Sequence, residues 1–234
     1  MEQLFYCPQV SKYTTLSQEE SHYCIKVLRF KTGNTIYITD GKGRLFEAKI
    51  LKPDPKATSV ETHEIKHIDC NKKTFAVALA LLKKEKRYEW FVEKATELGA
   101  NYIIPFTSKY TEKQNIRHDR LEKIAISAIK QSLQLCLPKI LNPVPLEQLP
   151  SVAEQLNISN RFLALCHAKT KLSQMLSNQR NILITIGPEG GFSNDEIQFL
   201  SDNNFHPVLL SNTRLRAETA AISACSIINL ALFV

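Results

Sequence analysis

The sequence of 234 residues predicts an α/β fold, in which a small β-rich unit of about 70 residues precedes a parallel α/β domain. After a first predicted helix, short strand-like stretches continue as far as residue 68. From Phe75 onwards, apolar strands alternate with helical patterns, as in a parallel sheet covered by helices. The length allows one large domain or two small ones.

The first unit begins with a helix, predicted over residues 17–30 by the capping box Ser17-Gln18-Glu19-Glu20. Residues 35–39 and 45–50 then read as strands. They flank Asp40-Gly41-Lys42-Gly43, which predicts a hairpin turn. Residues 57–68 alternate weakly and predict a third strand.

The pattern changes near residues 71–73, where the second domain begins. Helices are predicted over 87–98, where Gly99 ends the pattern, and over 117–136, where apolar residues recur at helical spacing. A further helix begins at the capping box Ser193-Asn194-Asp195-Glu196. The predicted strands of this domain are 75–82, 102–106, 162–166, 182–186 and 207–210.

The net charge of +7 is concentrated in the middle third of the chain. Residues 71–140 carry 14 basic and 7 acidic groups. Such a concentration suits a polyanion such as nucleic acid. A solvated helix face is an equally common reason for a run such as 83–87.

Several functional classes are excluded by what the sequence lacks. No apolar run reaches the roughly 18–20 residues that span a bilayer, and the first residues do not resemble a signal peptide, so we expect a cytoplasmic protein without membrane contact. The six cysteines are scattered without a C-x-x-C pair, which favours reduced thiols over disulfides or a zinc knuckle.

The sequence His63-Glu64-Ile65-Lys66-His67 matches the H-E-x-x-H zinc signature, but its context is a strand. A strand separates the two histidines by about 13 Å, so we expect no metal. The P-loop, G-x-G-x-x-G and G-x-S-x-G motifs are absent as well. An ATPase, an ordinary dinucleotide site and a serine hydrolase are therefore disfavoured.

Two segments are candidates for chemistry. Residues 187–191, Gly-Pro-Glu-Gly-Gly, hold three of the seven glycines and lie between a strand and a helix, where backbone N–H groups can approach a ligand. A tight turn is the simpler interpretation. In residues 209–221, a polar loop precedes a helix rich in small residues, and Arg214, Arg216 and Glu218 lie close together. This pattern allows an anion or nucleotide site, or a surface ion-pair cluster.

Taken together, these segments resemble the RsmE-type family of 16S rRNA uridine-N3 methyltransferases in the SPOUT superfamily. The resemblance spans nearly the whole chain, and the pairing of Gly-Pro-Glu-Gly-Gly with Arg-x-Glu-Thr-Ala is its most specific part. The four matching segments are His22–Gly33, Glu89–Pro105, Ile186–Ser193 with Glu196, and Leu215–Ala220.

The resemblance implies a PUA-like β-barrel for RNA over residues 1–70 and a SPOUT domain with a C-terminal trefoil knot over residues 73–234. Knots are very rare, so only the resemblance supports this expectation. It also implies a homodimer that uses S-adenosylmethionine, with 16S rRNA, in the small ribosomal subunit, as its substrate.

The resemblance further implies roles for individual residues. Arg216 would stabilise negative charge on the uracil. Glu218 would be a general base, a structural partner of Arg216 or a favourable charge in the first turn of the helix. The residues expected to bind phosphates are Arg29, Lys83, Lys84, Lys86 and Arg87. The residues expected to hold the cofactor are Gly187, Glu189, Gly190, Gly191, Leu210, Ser211, Thr213, Leu215, Thr219 and Ala220.

One segment departs from the family pattern. Residues 130–134 read Lys-Gln-Ser-Leu-Gln, where relatives often read Glu-Gln-Ser/Cys-Gly-Arg. Two alternatives stay open: a SPOUT enzyme with a tRNA or a different rRNA target, and a non-catalytic RNA-binding or ribosome-assembly factor. The intact glycine and Arg-x-Glu-Thr segments weigh against the second.

Overall fold

The computed structural model describes residues 3–112, 115–177 and 179–233. The chain forms two compact units. The first comprises residues 1–70 together with 126–137, and the second comprises residues 71–125 and 138–234. Each unit has its own sheet, as the two composition patterns of the sequence suggest.

The first unit is built on a five-stranded sheet of order β1-β3-β4-β5-β2. Strands β1 and β3 are parallel, and the other neighbours are antiparallel. Its apolar face buries alternate residues such as Ile36, Ile38 and Ile50, as a period of two requires. The strands are β1 Leu4–Tyr6, β2 Tyr13–Thr15, β3 Thr35–Thr39, β4 Arg44–Lys52 and β5 Ser59–His67.

The predicted hairpin between β3 and β4 is confirmed. The Asp40 carboxylate accepts hydrogen bonds from the Lys42 N–H (2.8 Å) and the Arg44 Nε–H (2.7 Å). Burial alone would raise the pKa of Asp40, but these hydrogen bonds and the Arg44 charge hold it below the usual value. The strand predicted over 57–68 is also confirmed, and His63 and His67 lie exposed on β5.

The first helix is shorter than the predicted 17–30. Helix α1 (Gln18–His22) has the expected Ser17 cap and then widens into a π-helical turn over Tyr23–Val27. Arg29 adopts a left-handed conformation (φ 59°), and the Phe30 N–H donates to the Cys24 carbonyl. The chain therefore leaves the helical path at Arg29, and no capping residue in the sequence predicts this end.

Residues 126–137 join the first unit through the hairpin turn. The Leu135 carbonyl accepts from the Gly43 N–H (2.9 Å), and the Leu137 N–H donates to the Gly41 carbonyl (2.8 Å). The Leu135 side chain packs with Leu4 and Leu45. Contacts so distant in sequence leave no local pattern from which they could be predicted.

The same arrangement corrects the expectation of reduced thiols. Cys70 and Cys136, separated by 66 positions in sequence, form a disulfide. The hairpin turn brings them together, because Gly43 bonds through its N–H to Leu135 and through its carbonyl to Ile68. Of the other cysteines, Cys7, Cys24 and Cys225 are buried and Cys166 is exposed.

The second unit contains a sheet of order β12-β10-β11-β6-β7-β8, with β9 also pairing with β7. Every one of these pairings is parallel, which confirms the predicted α/β class. The central strands β6 and β11 are buried along their whole length. The strands are β6 Phe75–Ala80, β7 Tyr102–Thr107, β8 Lys139–Ile140, β9 Val144–Pro145, β10 Asn160–Ala164, β11 Ile182–Ile186 and β12 Phe205–Val208.

Helices cover this sheet. Helix α7 (Ala217–Phe233) follows the edge strand β12, yet it packs against α2 (Glu85–Glu97) and against the central strands β6 and β11. None of the described helices is long and apolar enough to cross a membrane. The remaining α-helices of the described residues are α3 His118–Ser132, α4 Leu149–Gln155, α5 Leu172–Met175 and α6 Asn194–Asp202.

Helix α3 ends earlier than predicted, at Ser132 rather than Cys136. Leu133 adopts a left-handed conformation (φ 57°), and the Gln134 N–H donates to the Ile129 carbonyl. This is a Schellman C-cap, a position where glycine is favoured. In the same divergent segment, Lys130 pairs with the buried Glu20, whose pKa is nevertheless raised by burial.

Candidate active site

A cavity of about 560 Å³ lies at the carboxyl edge of three adjacent strands, β11, β10 and β12. In parallel sheets the loops after neighbouring strands meet at this edge, and ligands bind there. Three loops form the walls. They are residues 164–167 after β10, residues 186–192 after β11, and residues 209–217 at the start of α7.

Residues 187–191, here called the glycine loop, form the first wall. The Gly191 N–H donates to the Pro188 carbonyl (2.9 Å), and Gly191 has φ +74°, which a side chain would strain. A Cβ on Gly190 would lie 2.9 Å from the Cβ of Tyr110, so no larger residue fits without movement. These glycines are therefore required by the turn and by close packing.

Two carboxylates hold the glycine loop in place. Glu189 Oε1 accepts from the Lys83 N–H at 3.3 Å. Glu196 forms the predicted capping box with Ser193, and its Oε1 accepts from the Lys109 N–H at 2.7 Å. The glycine loop is thus tied to the segment that follows β6, and the start of α6 is tied to the segment that follows β7.

Residues 209–216, here called the arginine loop, form the second wall. Leu209 pairs through its backbone with Thr170 and Leu172. The hydroxyls of Ser211 and Thr213 lie 3.1 Å apart, and the Thr213 N–H also donates to the Ser211 hydroxyl. These short-range bonds shape the polar part of the loop.

Arg216 lies at the junction of the arginine loop and α7. Its side chain lines the cavity and is exposed. Its carbonyl accepts the Ala220 N–H at 2.8 Å, and Ala217 and Ala220 both line the cavity. Within the described part of the chain, the Arg216 guanidinium has no ion-pair partner. The charge therefore faces the cavity and solvent.

Glu218 has a different environment from Arg216. It is 5% exposed and does not line the cavity. Its Oε1 lies 3.4 Å from Nε of Arg87 on α2, and among the described residues its Oε2 has no hydrogen-bond partner. Its ion pair is thus with Arg87 rather than with Arg216.

The structure brings together most of the residues expected to hold a cofactor. Thr219 is the exception, because it is exposed on α7 and does not line the cavity. Those that line the cavity are Gly187, Glu189, Gly190, Gly191, Leu210, Ser211, Thr213, Leu215 and Ala220.

The residues expected to bind phosphates differ in exposure and in their ion-pair partners. Lys84 and Lys86 are exposed, and the Lys83 amino group, also exposed, lies 2.9 Å from Glu112. Arg87 is occupied by Glu218. Arg29 is exposed in the first unit.

The third wall contains none of the site residues predicted from the sequence. Ala164, Leu165, Cys166 and His167 line the cavity, although their segment carries no recognisable motif. Residues 162–166 read as a parallel strand, and ligands bind at the carboxyl ends of such strands, so the sequence indicates this wall in part. The order of the strands, which places β10 between β11 and β12, could not be predicted.

The cavity is suited to a ligand with both polar and apolar parts. Its volume falls within the range of small-molecule sites. Leucine side chains provide apolar contact, the Ser211 and Thr213 hydroxyls can donate or accept hydrogen bonds, and Glu189 and Arg216 provide charge of both signs.

Comparisons with known proteins agree with this architecture. Residues 70–229 match a family described as an RNA methyltransferase domain, and residues 16–62 match an RNA methyltransferase PUA domain. The ribosomal RNA small subunit methyltransferase E of Rickettsia conorii is 31% identical over 94% of this chain and 90% of its own.

Two solved structures extend the comparison. A probable rRNA-methyltransferase from Porphyromonas gingivalis is 32% identical, with a TM-score of 0.89 over 97% of each chain. A Legionella pneumophila protein solved with the bound cofactor SAM is 25% identical, with a TM-score of 0.82 over 97% of each chain.

Proposed function

The chain belongs to the ribosomal RNA small subunit methyltransferase E family, and we propose that it transfers the methyl group of S-adenosylmethionine to N3 of a uridine in 16S rRNA. The observation that carries the proposal is the cavity itself. Its walls include the glycine loop and the arginine loop, the two segments on which the resemblance to the family mainly depends.

The cavity residues fit the cofactor, a nucleoside joined to an amino acid through a sulfonium. The Gly191 backbone can lie against the ligand, since a Cβ at this position would point into open space and is absent. Leu210 and Leu215 can cover an apolar ring, and Glu189 can attract a positive group. When bound, S-adenosylmethionine supplies an electrophilic methyl group.

Arg216 is the residue that we assign to catalysis. A guanidinium stays charged at any working pH and offers donors in a planar fork. At the cavity wall, it can stabilise the negative charge that develops on a uracil as N3 loses its proton. Charge stabilisation of this kind does not require Arg216 to accept the proton.

We assign Glu218 a positioning role in place of a general-base role. A general base must come within hydrogen-bond reach of the proton that it removes. Glu218 is buried outside the cavity wall and paired with Arg87, so it joins the first turn of α7 to α2. Through that turn it holds Arg216 two residues away.

The rRNA substrate is bound, in this proposal, through phosphate contacts of exposed basic side chains. Lys84, Lys86 and Arg29 are free to make such contacts, and Lys83 can exchange Glu112 for a phosphate. Arg87 is not among these phosphate-binding residues, because it forms an ion pair with Glu218. The enzyme would act in the cytoplasm, where ribosomal subunits are assembled.

We also propose the finer features of the fold and assembly. The return of α7 from edge strand β12 to central strands β6 and β11 supports a C-terminal trefoil knot. The five-stranded sheet of the first unit supports a PUA-like β-barrel for RNA. The outer face of α7, with Leu230 59% exposed and Ile222 and Ile227 half-buried, supports a homodimer.

Cofactor binding tests the proposal. S-adenosylmethionine and S-adenosylhomocysteine should raise the melting temperature, because a ligand at 100 times its Kd adds about 2.7 kcal/mol to the free energy of unfolding by mass action, while ATP should not. Gly191→Val, strained at φ +74°, should weaken binding in calorimetry and leave the protein folded. A wild-type protein that binds RNA but neither cofactor would instead be a non-catalytic RNA-binding factor.

A further inference from the structure

An aromatic side chain stands beside the glycine loop in a segment that the proposed function has not used. Residues 108–112 follow β7, and β11, β6 and β7 are adjacent parallel strands. The loops after these strands therefore share one edge of the sheet. Tyr110 lies in this segment.

Two contacts fix the segment against the glycine loop. The Lys109 N–H donates to Glu196 Oε1 at 2.7 Å, at the start of α6. The Cβ of Tyr110 occupies the space that a side chain on Gly190 would need, at 2.9 Å from the position of that Cβ. Gly190 lines the cavity, so Tyr110 is in contact with the wall of the site.

The backbone around Tyr110 is held by its own turn. The Ser108 N–H donates to the Thr111 hydroxyl at 2.9 Å, and the Thr111 N–H donates to the Ser108 carbonyl at 3.0 Å. Glu112 pairs with Lys83 at 2.9 Å. The backbone that carries the Tyr110 ring is thus ordered before any substrate binds, which lowers the entropy cost of binding.

Exposure distinguishes a structural ring from one that is open to a ligand. A ring that only covers Gly190 would be buried, but Tyr110 is 47% exposed. In the described part of the chain, its hydroxyl has no hydrogen-bond partner. The Lys109 amino group lies 5.9 Å from the ring centroid, so a positive charge for a phosphate accompanies the aromatic face.

We propose that Tyr110 is the platform on which the target uracil stacks when it leaves the RNA helix to reach the cavity. Enzymes that modify a base take it out of the stack and hold it against aromatic side chains, and proteins read unpaired RNA bases in the same way. This inference rests on the proposed function, because it names the substrate contact of that site.

Kinetic measurements on the full-length protein test the stacking role. Tyr110→Ala and Tyr110→Leu should each lower kcat/KM for 16S rRNA by about 10- to 100-fold, the range expected for one lost base–aromatic contact. Tyr110→Phe keeps the ring and should retain most of the activity. Affinity for S-adenosylmethionine, measured by calorimetry, should be unchanged in all three variants.

A second readout does not require methylation. In Trp90→Phe/Tyr110→Trp, the single tryptophan reports on position 110, since Trp90 is the only natural one. A short single-stranded oligouridine should quench its fluorescence, and an abasic oligomer of equal charge should not.

The outcomes separate the two proposals. Equal quenching by both oligomers, near wild-type kinetics in Tyr110→Ala and Tyr110→Leu, or a Tyr110→Phe variant as impaired as Tyr110→Ala would overturn the stacking role. A wild-type protein that binds neither S-adenosylmethionine nor S-adenosylhomocysteine would instead overturn the proposed function, and the fluorescence assay would still report on Tyr110.

Discussion

Arg216 and Glu218, two charged residues at the start of α7, have different surroundings. Arg216 is exposed at the cavity wall, while Glu218 is 5% exposed and its charge is directed toward Arg87. The sequence Arg-x-Glu suggests an ion pair between the two side chains, yet side chains two positions apart at the start of a helix point in different directions. Their expected effects on catalysis and stability therefore differ.

Arg216→Ala should lower the single-turnover rate of methyl transfer by a factor on the order of 10²–10³, because one preorganised donor is lost. Arg216→Lys should recover only part of the rate, since an ammonium lacks the planar fork. Cofactor affinity, measured by calorimetry on the same preparations, should change far less. A near wild-type rate in the alanine variant would assign Arg216 a structural role.

Cys166 gives a direct test of where the cofactor lies. Burial raises the pKa of the Cys7, Cys24 and Cys225 thiols, in the case of Cys24 to about 11, so these three thiols react slowly. Cys166, in contrast, is exposed in the cavity wall. N-Ethylmaleimide should label Cys166 first, as read by mass spectrometry of peptides, and saturating S-adenosylmethionine should slow that labelling.

Cys166→Ser serves as the control for the labelling experiment and should lose the fast-labelled peptide. The assignment of the cavity would be contradicted if the cofactor bound with measurable affinity and left the labelling rate of Cys166 unchanged.

Among the secondary-structure elements, one end of α3 and one end of α7 carry features that affect the stability of the fold. Helix α3 ends on Leu133 in a left-handed conformation, and α7 begins with a turn that the Arg87–Glu218 ion pair fastens to α2. A side chain at positive φ and a buried ion pair both affect stability by amounts that denaturation can measure.

Leu133→Gly should raise the free energy of unfolding by about 0.5–1 kcal/mol, because glycine relieves the left-handed strain and only part of the gain is lost to chain entropy. Leu133→Ala retains the strain and is the matched control. Urea denaturation of the three proteins provides the comparison. A glycine variant less stable than the alanine variant would refute the strain at this C-cap.

Arg87→Met should destabilise the protein by about 2 kcal/mol, since it leaves the Glu218 carboxylate buried without its partner. The double variant Arg87→Met/Glu218→Gln should recover much of that loss, because no buried charge remains. Denaturation of both single variants and the double variant forms a mutant cycle. Additive effects would show that the two side chains are not coupled.

Across the whole molecule, features set by neighbouring residues can be predicted from the sequence, whereas features set by contacts between distant residues cannot. The parallel strands, the capping box at Ser193 and the two predicted loops that line the cavity can be predicted from residues close together in the chain. The disulfide between Cys70 and Cys136 and the pairing of Arg87 with Glu218 depend on tertiary contacts across many positions. No periodicity or motif encodes such contacts.

The decisive measurement for the proposed function is methyl transfer to rRNA. The purified protein would be incubated with isotopically labelled S-adenosylmethionine and with small ribosomal subunits from cells that lack the corresponding enzyme. The 16S rRNA would then be digested and analysed by mass spectrometry. We expect one labelled N3-methyluridine per 16S rRNA molecule, with the label greatly reduced for Arg216→Ala. A label on another nucleoside, or no label from a protein that binds the cofactor, would contradict the proposed function.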